Sequence, residues 1–273
     1  MTLRPFGSPD RLVSVIGQGT WNMERDDRAS AVAALRRGID LGMTHIDTAE
    51  MYGSGRVEEI VGEAIAGRRD RVFLVSKILP SNASFQGTRQ ACERSLRRLR
   101  TDVLDGYLLH WPGSHPLEET FRAFHALAKE GKIRSFGVSN FDVQGMEEAV
   151  GLAKDVACNQ VLYNLEERTI EHALGPWCER RQIPIVAYSP IGAQNFRSSE
   201  ALDEIAAARG VTPRQLALAF LIRRPNVFAI PKSSVAAHVE ENAAAAELRL
   251  SDDEALRIDA AFPRGPRRGL ATA

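Results

Sequence analysis

Short apolar, β-branched runs recur along the whole chain, and stretches of helical period separate them. The runs are Val13 to Ile16, Thr44 to Ile46, Val72 to Val75, Val103 to Leu109, Ile133 to Val138, Val156 to Cys158, Ile183 to Ala187 and Val227 to Ile230. Each is short enough to be a strand rather than a helix. Between them, Val57, Ile60, Val61, Ala64 and Ile65 keep the spacing of one helix face, as do Met146, Ala149, Val150 and Ala153. Thr212-Pro213-Arg214-Gln215 and Ser251-Asp252-Asp253-Glu254 each place a hydroxyl N-cap three residues before a side chain that can cap in return. Strands alternating with helices pair in parallel through right-handed crossovers. Eight such units within 273 residues predict an α/β chain folded as a (β/α)8 TIM barrel rather than an open sheet. No linker or composition shift divides residues 1–273, so one domain is expected. The run Pro263-Arg264-Gly265-Pro266-Arg267-Arg268-Gly269 breaks helices and predicts a loose tail over about residues 263–273.

Charge narrows the function. Lys and Arg number 35 against 35 Asp and Glu, which lacks the basic excess of a nucleic-acid or anionic-membrane binder. Cys92, Cys158 and Cys178 are odd in number and far apart. They fit neither a disulfide framework nor a zinc site, and they point to a reducing cytoplasm. The N-terminus lacks an apolar signal region, and no run approaches the length of a membrane span. Nothing in the sequence demands an oligomer, so a monomer is expected.

The residues that close each run carry the chemistry. Asp47, Lys77, His110, Ser139-Asn140, Asn159-Gln160, Tyr188-Ser189 and Lys232-Ser233 follow seven of the eight runs. A barrel opens the C-terminal ends of all its strands on one face, so these groups are expected to share one mouth. Asp47 and Lys77 come from adjacent strands and can form an ion pair. Tyr52 lies five residues past Asp47, within reach of the same lysine. A phenol titrates near 10, too high for easy proton donation at neutral pH, and a neighbouring ammonium is expected to lower it. With His110 as a second hydrogen-bond donor, the group suits an oxygen that gains negative charge, as a carbonyl does when it accepts hydride. His45, His115 and His125 are assigned packing or surface roles.

These residues sit in longer motifs: Gly19-Thr20-Trp21, Leu41-Gly42-Met43-Thr44-His45-Ile46-Asp47-Thr48-Ala49-Glu50-Met51-Tyr52-Gly53, Val75-Ser76-Lys77, Leu108-Leu109-His110-Trp111-Pro112, Gly131 to Asn140, Asn159-Gln160, Tyr188-Ser189-Pro190 and Ile230-Pro231-Lys232-Ser233. In them the chain resembles the aldo-keto reductase family over about residues 5 to 260. The resemblance implies a nicotinamide-dependent carbonyl reductase acting on aldehydes or small ketones. It implies Tyr52 as general acid, Lys77 and Asp47 tuning it, and His110 orienting the carbonyl. Ser139, Asn140 and Gln160 would hold the nicotinamide carboxamide, Tyr188 would stack on its ring, Ser189 and Pro190 would line the pyrophosphate, and Thr20 and Asp47 would also bind the cofactor. Lys232, Ser233 and position 238 would grip a 2′-phosphate, with Glu241 and Asn242 on the adenine. Trp21 and Trp111 would wall the substrate pocket, left open by short loops.

This chain departs from the family at His238, where NADPH-preferring members carry arginine. Histidine offers phosphate no bidentate fork and is fully charged only in acid. NADPH is therefore still expected, through Lys232, with weaker discrimination against NADH. Other readings fail on the residues. Gly17-Gln18-Gly19 lacks the third glycine of a dinucleotide fingerprint, there is no Tyr-x-x-x-Lys pair, and no metal-ligand cluster or phosphate-cradling loop is present. A second class, an NADPH-binding regulatory or partner subunit with little turnover, would show cofactor binding without carbonyl reduction.

Overall fold

The computed structural model describes residues 1–192 and 196–272. A short antiparallel hairpin, β1 (Leu3–Pro5) and β2 (Leu12–Ser14), precedes the barrel. The barrel then runs β3 (Gln18–Gly19), α1 (Arg28–Asp40), β4 (His45–Asp47), α2 (Arg56–Ala64), β5 (Phe73–Ile78), α3 (Phe85–Leu99), β6 (Gly106–Leu109), α4 (Leu117–Lys129), β7 (Phe136–Ser139) and α5 (Val143–Leu152). It continues through β8 (Asn159–Leu162), α6 (Leu174–Arg180), β9 (Ile185–Tyr188), α7 (Glu200–Arg209), α8 (Pro213–Ile222), β10 (Val227–Ala229), α9 (Ala236–Ala245) and α10 (Asp252–Ala261). Strands β3 to β10 lie side by side in chain order, every pair parallel. Parallel bridges Ile16–Ala229 and Gly19–Lys232 join the first strand to the last, closing the sheet. This is the expected (β/α)8 fold.

The first strand departs from expectation. The run Val13 to Ile16 is split: Leu12–Ser14 belong to the hairpin, and the barrel strand is the pair Gln18–Gly19. Close approach explains the choice of residues. A Cβ on Gly19 would sit 2.5 Å from the Ile230 carbonyl oxygen, and one on Gly17 would sit 2.6 Å from that of His45. The closing seam therefore takes glycine where an apolar run would clash. Other strands are shifted from their apolar runs as well. The sixth begins at Asn159 rather than ending at Cys158, so Asn159 and Gln160 lie within the strand. The fourth begins only at Gly106.

Phe6, in the connection between the two hairpin strands, plugs the opposite end of the barrel. Its ring lies 5.1 Å from that of Phe73, 5.0 Å from Phe228 and 5.8 Å from His45, all near the starts of their strands. His45 is thus core packing, and burial lowers its pKa to about 4. The helix-start signatures form as read: Thr212 with Gln215 and Ser251 with Glu254 are complete capping boxes. Buried Arg168 binds Glu171 at 2.8 Å and Asp259 at 2.5 Å, tying α10 to the barrel wall. Past α10, Arg268 reaches Thr169 at 3.1 Å, and the Gly265 carbonyl lies 3.1 Å from His172.

Candidate active site

The C-terminal ends of the strands open on one cavity of about 420 Å³. At its floor, β4 ends on Asp47 and β5 carries Lys77 one residue from its end. Both side chains are buried, 2% and 0% exposed, and meet at 2.6 Å. The Lys77 ammonium has three protons and three oxygen partners: Asp47 Oδ1 at 2.6 Å, the Thr48 carbonyl at 2.9 Å and Tyr52 Oη at 3.2 Å. The second Asp47 oxygen accepts from Gln160 Nε2 at 2.7 Å. The aspartate therefore fixes the lysine, and the lysine fixes the phenol.

The loop that carries Tyr52 is held from both sides. Glu50 accepts from the Leu79 backbone N–H at 2.8 Å and from Asn82 Nδ2 at 2.9 Å, fastening the loop to the one after β5. Beyond Tyr52, Gly53, Ser54 and Gly55 all take positive φ, which turns the chain straight into α2. Buried Glu58 on α2 accepts from Ser76 Oγ at 2.7 Å and pairs with Arg98 at 2.9 Å, bracing β5 next to Lys77.

The electrostatics correct one expectation. Burial pushes the Tyr52 hydroxyl above its ordinary 10.0, and Lys77 pulls it back without overcoming that rise, since Asp47 opposes the lysine. Tyr52 thus holds its proton throughout the neutral range. The same site keeps Lys77 charged: burial works against its charge, but Asp47 and Tyr52 together outweigh that and raise its pKa overall. His110 lies just past β6, its ring edge-on to Tyr52 at 5.8 Å. Burial, helped by Lys77, lowers its pKa to about 2, so it stands as a neutral imidazole with a single N–H.

The expected cofactor residues line the same cavity: Thr20, Asp47, Ser139, Asn140, Gln160, Tyr188, Ser189, Pro190, Lys232, Ser233, His238, Glu241 and Asn242, together with Trp21 and Trp111. At the inner end Asn140 donates to the His110 carbonyl at 3.1 Å and accepts from Tyr188 Oη at 2.9 Å. Thr20 Oγ1 donates to the Asp47 carbonyl at 2.8 Å, and Asn164 holds the Ser189 carbonyl at 3.1 Å. Amide and hydroxyl groups collect there, while Lys232, Ser233 and His238 lie on the wall with Glu241 and Asn242. A cavity with amides beside the Tyr52 hydroxyl and Lys232 on its wall has a donor set suited to a nicotinamide dinucleotide. Among the described residues no cluster of His, Cys, Asp and Glu could hold a metal. No helix among them is long and apolar enough to cross a membrane.

Three contributions escaped the sequence reading. Asp26, in the loop before α1, pairs with Lys232 and also accepts from Ser234 Oγ at 2.6 Å. Phe196 and Arg214 both line the cavity, with the Arg214 guanidinium 5.3 Å from the Phe196 ring centre. Arg214 sits inside the Thr212–Gln215 capping box, whose helix-start signal masked it. Asp26 carries no local signal, because its partners lie 206 and 208 residues away.

In sequence and in fold, known proteins match nearly the whole chain. The Aldo/keto reductase family model matches residues 15–262. Methylglyoxal reductase YeaE of Escherichia coli strain K12 is 49% identical over 265 residues, covering 94% of this chain and 93% of its own. Glyoxal reductase of Bacillus subtilis strain 168 is 33% identical over 249 residues, covering 89% and 87%. A Klebsiella pneumoniae aldo-keto reductase solved in complex with NADPH superposes with a TM-score of 0.94 at 46% identity, covering all of both chains. With its parallel barrel, its buried Asp47–Lys77–Tyr52 chain and these matches, the protein belongs to the aldo/keto reductase family.

Proposed function

We propose that the protein reduces small aldehydes and ketones to alcohols with NADPH, and that short α-oxo aldehydes are its preferred class. The observation that carries this reading is the Lys77 ammonium bridging buried Asp47 at 2.6 Å and the Tyr52 hydroxyl at 3.2 Å. When bound, NADPH supplies the hydride. Tyr52 gives its proton to the carbonyl oxygen as negative charge develops there, and the neutral N–H of His110 orients that oxygen. Lys77 stabilises the phenolate left behind, and Asp47 holds Lys77 in place with help from Gln160. Asn140, Ser139 and Gln160 would hold the NADPH carboxamide, Tyr188 would pack against its ring, and Lys232 and Ser233 would take its 2′-phosphate.

The substrate class draws support from relatives named for methylglyoxal and glyoxal. Trp21 and Trp111, 42% and 36% exposed, offer broad flat walls with little polar discrimination. The test follows NADPH consumption with methylglyoxal, glyoxal, benzaldehyde and pyridoxal, in wild type and in Tyr52→Phe. Turnover that Tyr52→Phe abolishes while NADPH affinity stays within about twofold supports the reading. Tight NADPH binding with no turnover of any carbonyl would instead favour a regulatory subunit.

A further inference from the structure

The cavity wall carries four carboxylate, ammonium or guanidinium side chains: Asp47, Arg214, Lys232 and Glu241. Asp47 is matched by Lys77, and Lys232 is matched by Asp26. Among the described residues, Arg214 is the wall cation with no carboxylate within ion-pair distance. Its contact is the face of Phe196, 5.3 Å from guanidinium to ring centre. That contact orients the planar group without satisfying its five N–H donors.

Arg214 also stands where a cation is needed. It opens α8, and the next residue, Gln215, donates from Nε2 to the Glu241 carbonyl of α9 at 3.1 Å. His238 lies one turn before Glu241 on α9. Arg214 and His238 therefore approach the cavity from the two sides of one helix seam. A phosphate monoester carries a charge of about −1.5 to −2 at neutral pH. Without Arg214, that group would meet one ammonium already facing Asp26, a histidine, and the Glu241 carboxylate. With it, the wall gains an unpaired guanidinium whose fork matches phosphate oxygens.

Building on the NADPH reading above, we infer that Arg214 supplies the second cation for the 2′-phosphate, in place of the arginine absent at position 238. Discrimination between NADPH and NADH in this chain then comes from two places: Lys232 and Ser233 in the loop before α9, and Arg214 on α8.

The test measures dissociation constants of NADP+ and NAD+ by quenching of Trp21 and Trp111 fluorescence, in wild type, Arg214→Met, Arg214→Lys and Arg214→Met/His238→Arg. Arg214 is exposed, so these variants should fold, and near-ultraviolet circular dichroism checks that they do. Arg214→Met is expected to weaken NADP+ by roughly tenfold, the size of one charge-assisted contact, and to leave NAD+ within twofold. Arg214→Lys should recover only part of the loss, because an ammonium lacks the fork, and His238→Arg in the Met background should recover most of it. An unchanged NADP+ constant in Arg214→Met would overturn the inference while leaving the NADPH reading intact. Equal weakening of NADP+ and NAD+ would also overturn it, by placing Arg214 on a part common to both. A wild type that binds neither dinucleotide would overturn the NADPH reading, and this inference with it.

Discussion

Replacing Lys77 with methionine removes one buried charge and three hydrogen bonds, at 2.6, 2.9 and 3.2 Å. The consequences separate into stability and chemistry. Asp47 would keep only Gln160 as a side-chain partner, at 2.7 Å, and an unmatched buried carboxylate costs about 3–5 kcal/mol. At roughly 2–4 °C per kcal/mol for a chain of this size, Tm should fall by about 6–20 °C. For the chemistry, an ammonium 3.2 Å from a phenolate attracts it by about 5 kcal/mol at an effective dielectric near 20. Asp47 opposes part of that; if half survives, the Tyr52 pKa still rises by nearly two units. Reduction rate should fall by about 10²–10⁴-fold.

The pH profile tests the assignment apart from folding. Reduction needs protonated Tyr52, so in wild type it fails as pH rises through a pKa already lifted above 10.0 by burial. In Lys77→Met that alkaline limb should move to still higher pH, and alcohol oxidation, which needs the phenolate, should suffer at least as much. The assay is kcat against pH in both directions, with Tm by circular dichroism. Asp47→Asn/Lys77→Met removes both charges and should regain most of the Tm without regaining activity. A Lys77→Met protein with wild-type kcat and an unmoved alkaline limb would refute the reasoning, and so would a double variant whose activity returned with its stability.

Other expectations follow from the same geometry. Asp26→Asn frees Lys232 from its carboxylate, so NADPH should bind up to about fivefold more tightly, the worth of a partly exposed pair; unchanged or weaker binding in a fluorescence titration would contradict this. Gly19→Ala forces a Cβ to 2.5 Å from the Ile230 carbonyl oxygen at the barrel seam and should destabilise by about 1–3 kcal/mol in urea unfolding; an unchanged midpoint would show that the seam can relax. Burial works against the Glu171 carboxylate, but Arg168, Tyr163 and Arg224 outweigh it and hold its pKa down to about 2, below the ordinary 4.5. Its stabilisation is therefore complete above 4.5 and lost as pH falls toward 2, and Glu171→Gln should flatten that acid limb of Tm against pH.

Much of the site is legible in the sequence, for a reason visible in particular residues. Asp47, Lys77, His110 and Tyr188 each sit at or beside the end of a strand whose interior is apolar, and a parallel barrel sends all such ends to one mouth. Local periodicity therefore located them. Where local pattern and packing part company, the reading slipped. Gln18–Gly19 form a barrel strand because the closing seam admits no side chain at Gly19, while the more apolar Leu12–Ser14 turn away to pair with Leu3–Pro5. Asn159 and Gln160 belong within β8 because their partners on β7 and β9 set the register.

By itself, then, the sequence determined the alternation of strands and helices, the barrel that alternation implies, and the identity of the four residues at its mouth. Those properties depend on side chains close together along the chain. Only the tertiary structure decided that Tyr52 keeps its proton because burial outweighs Lys77, that Asp26 holds Lys232, and that Arg214 opens on the same cavity as His238. Burial is set by every element packed around a group, and the Asp26–Lys232 partners are 206 residues apart. No local pattern along the chain encodes either.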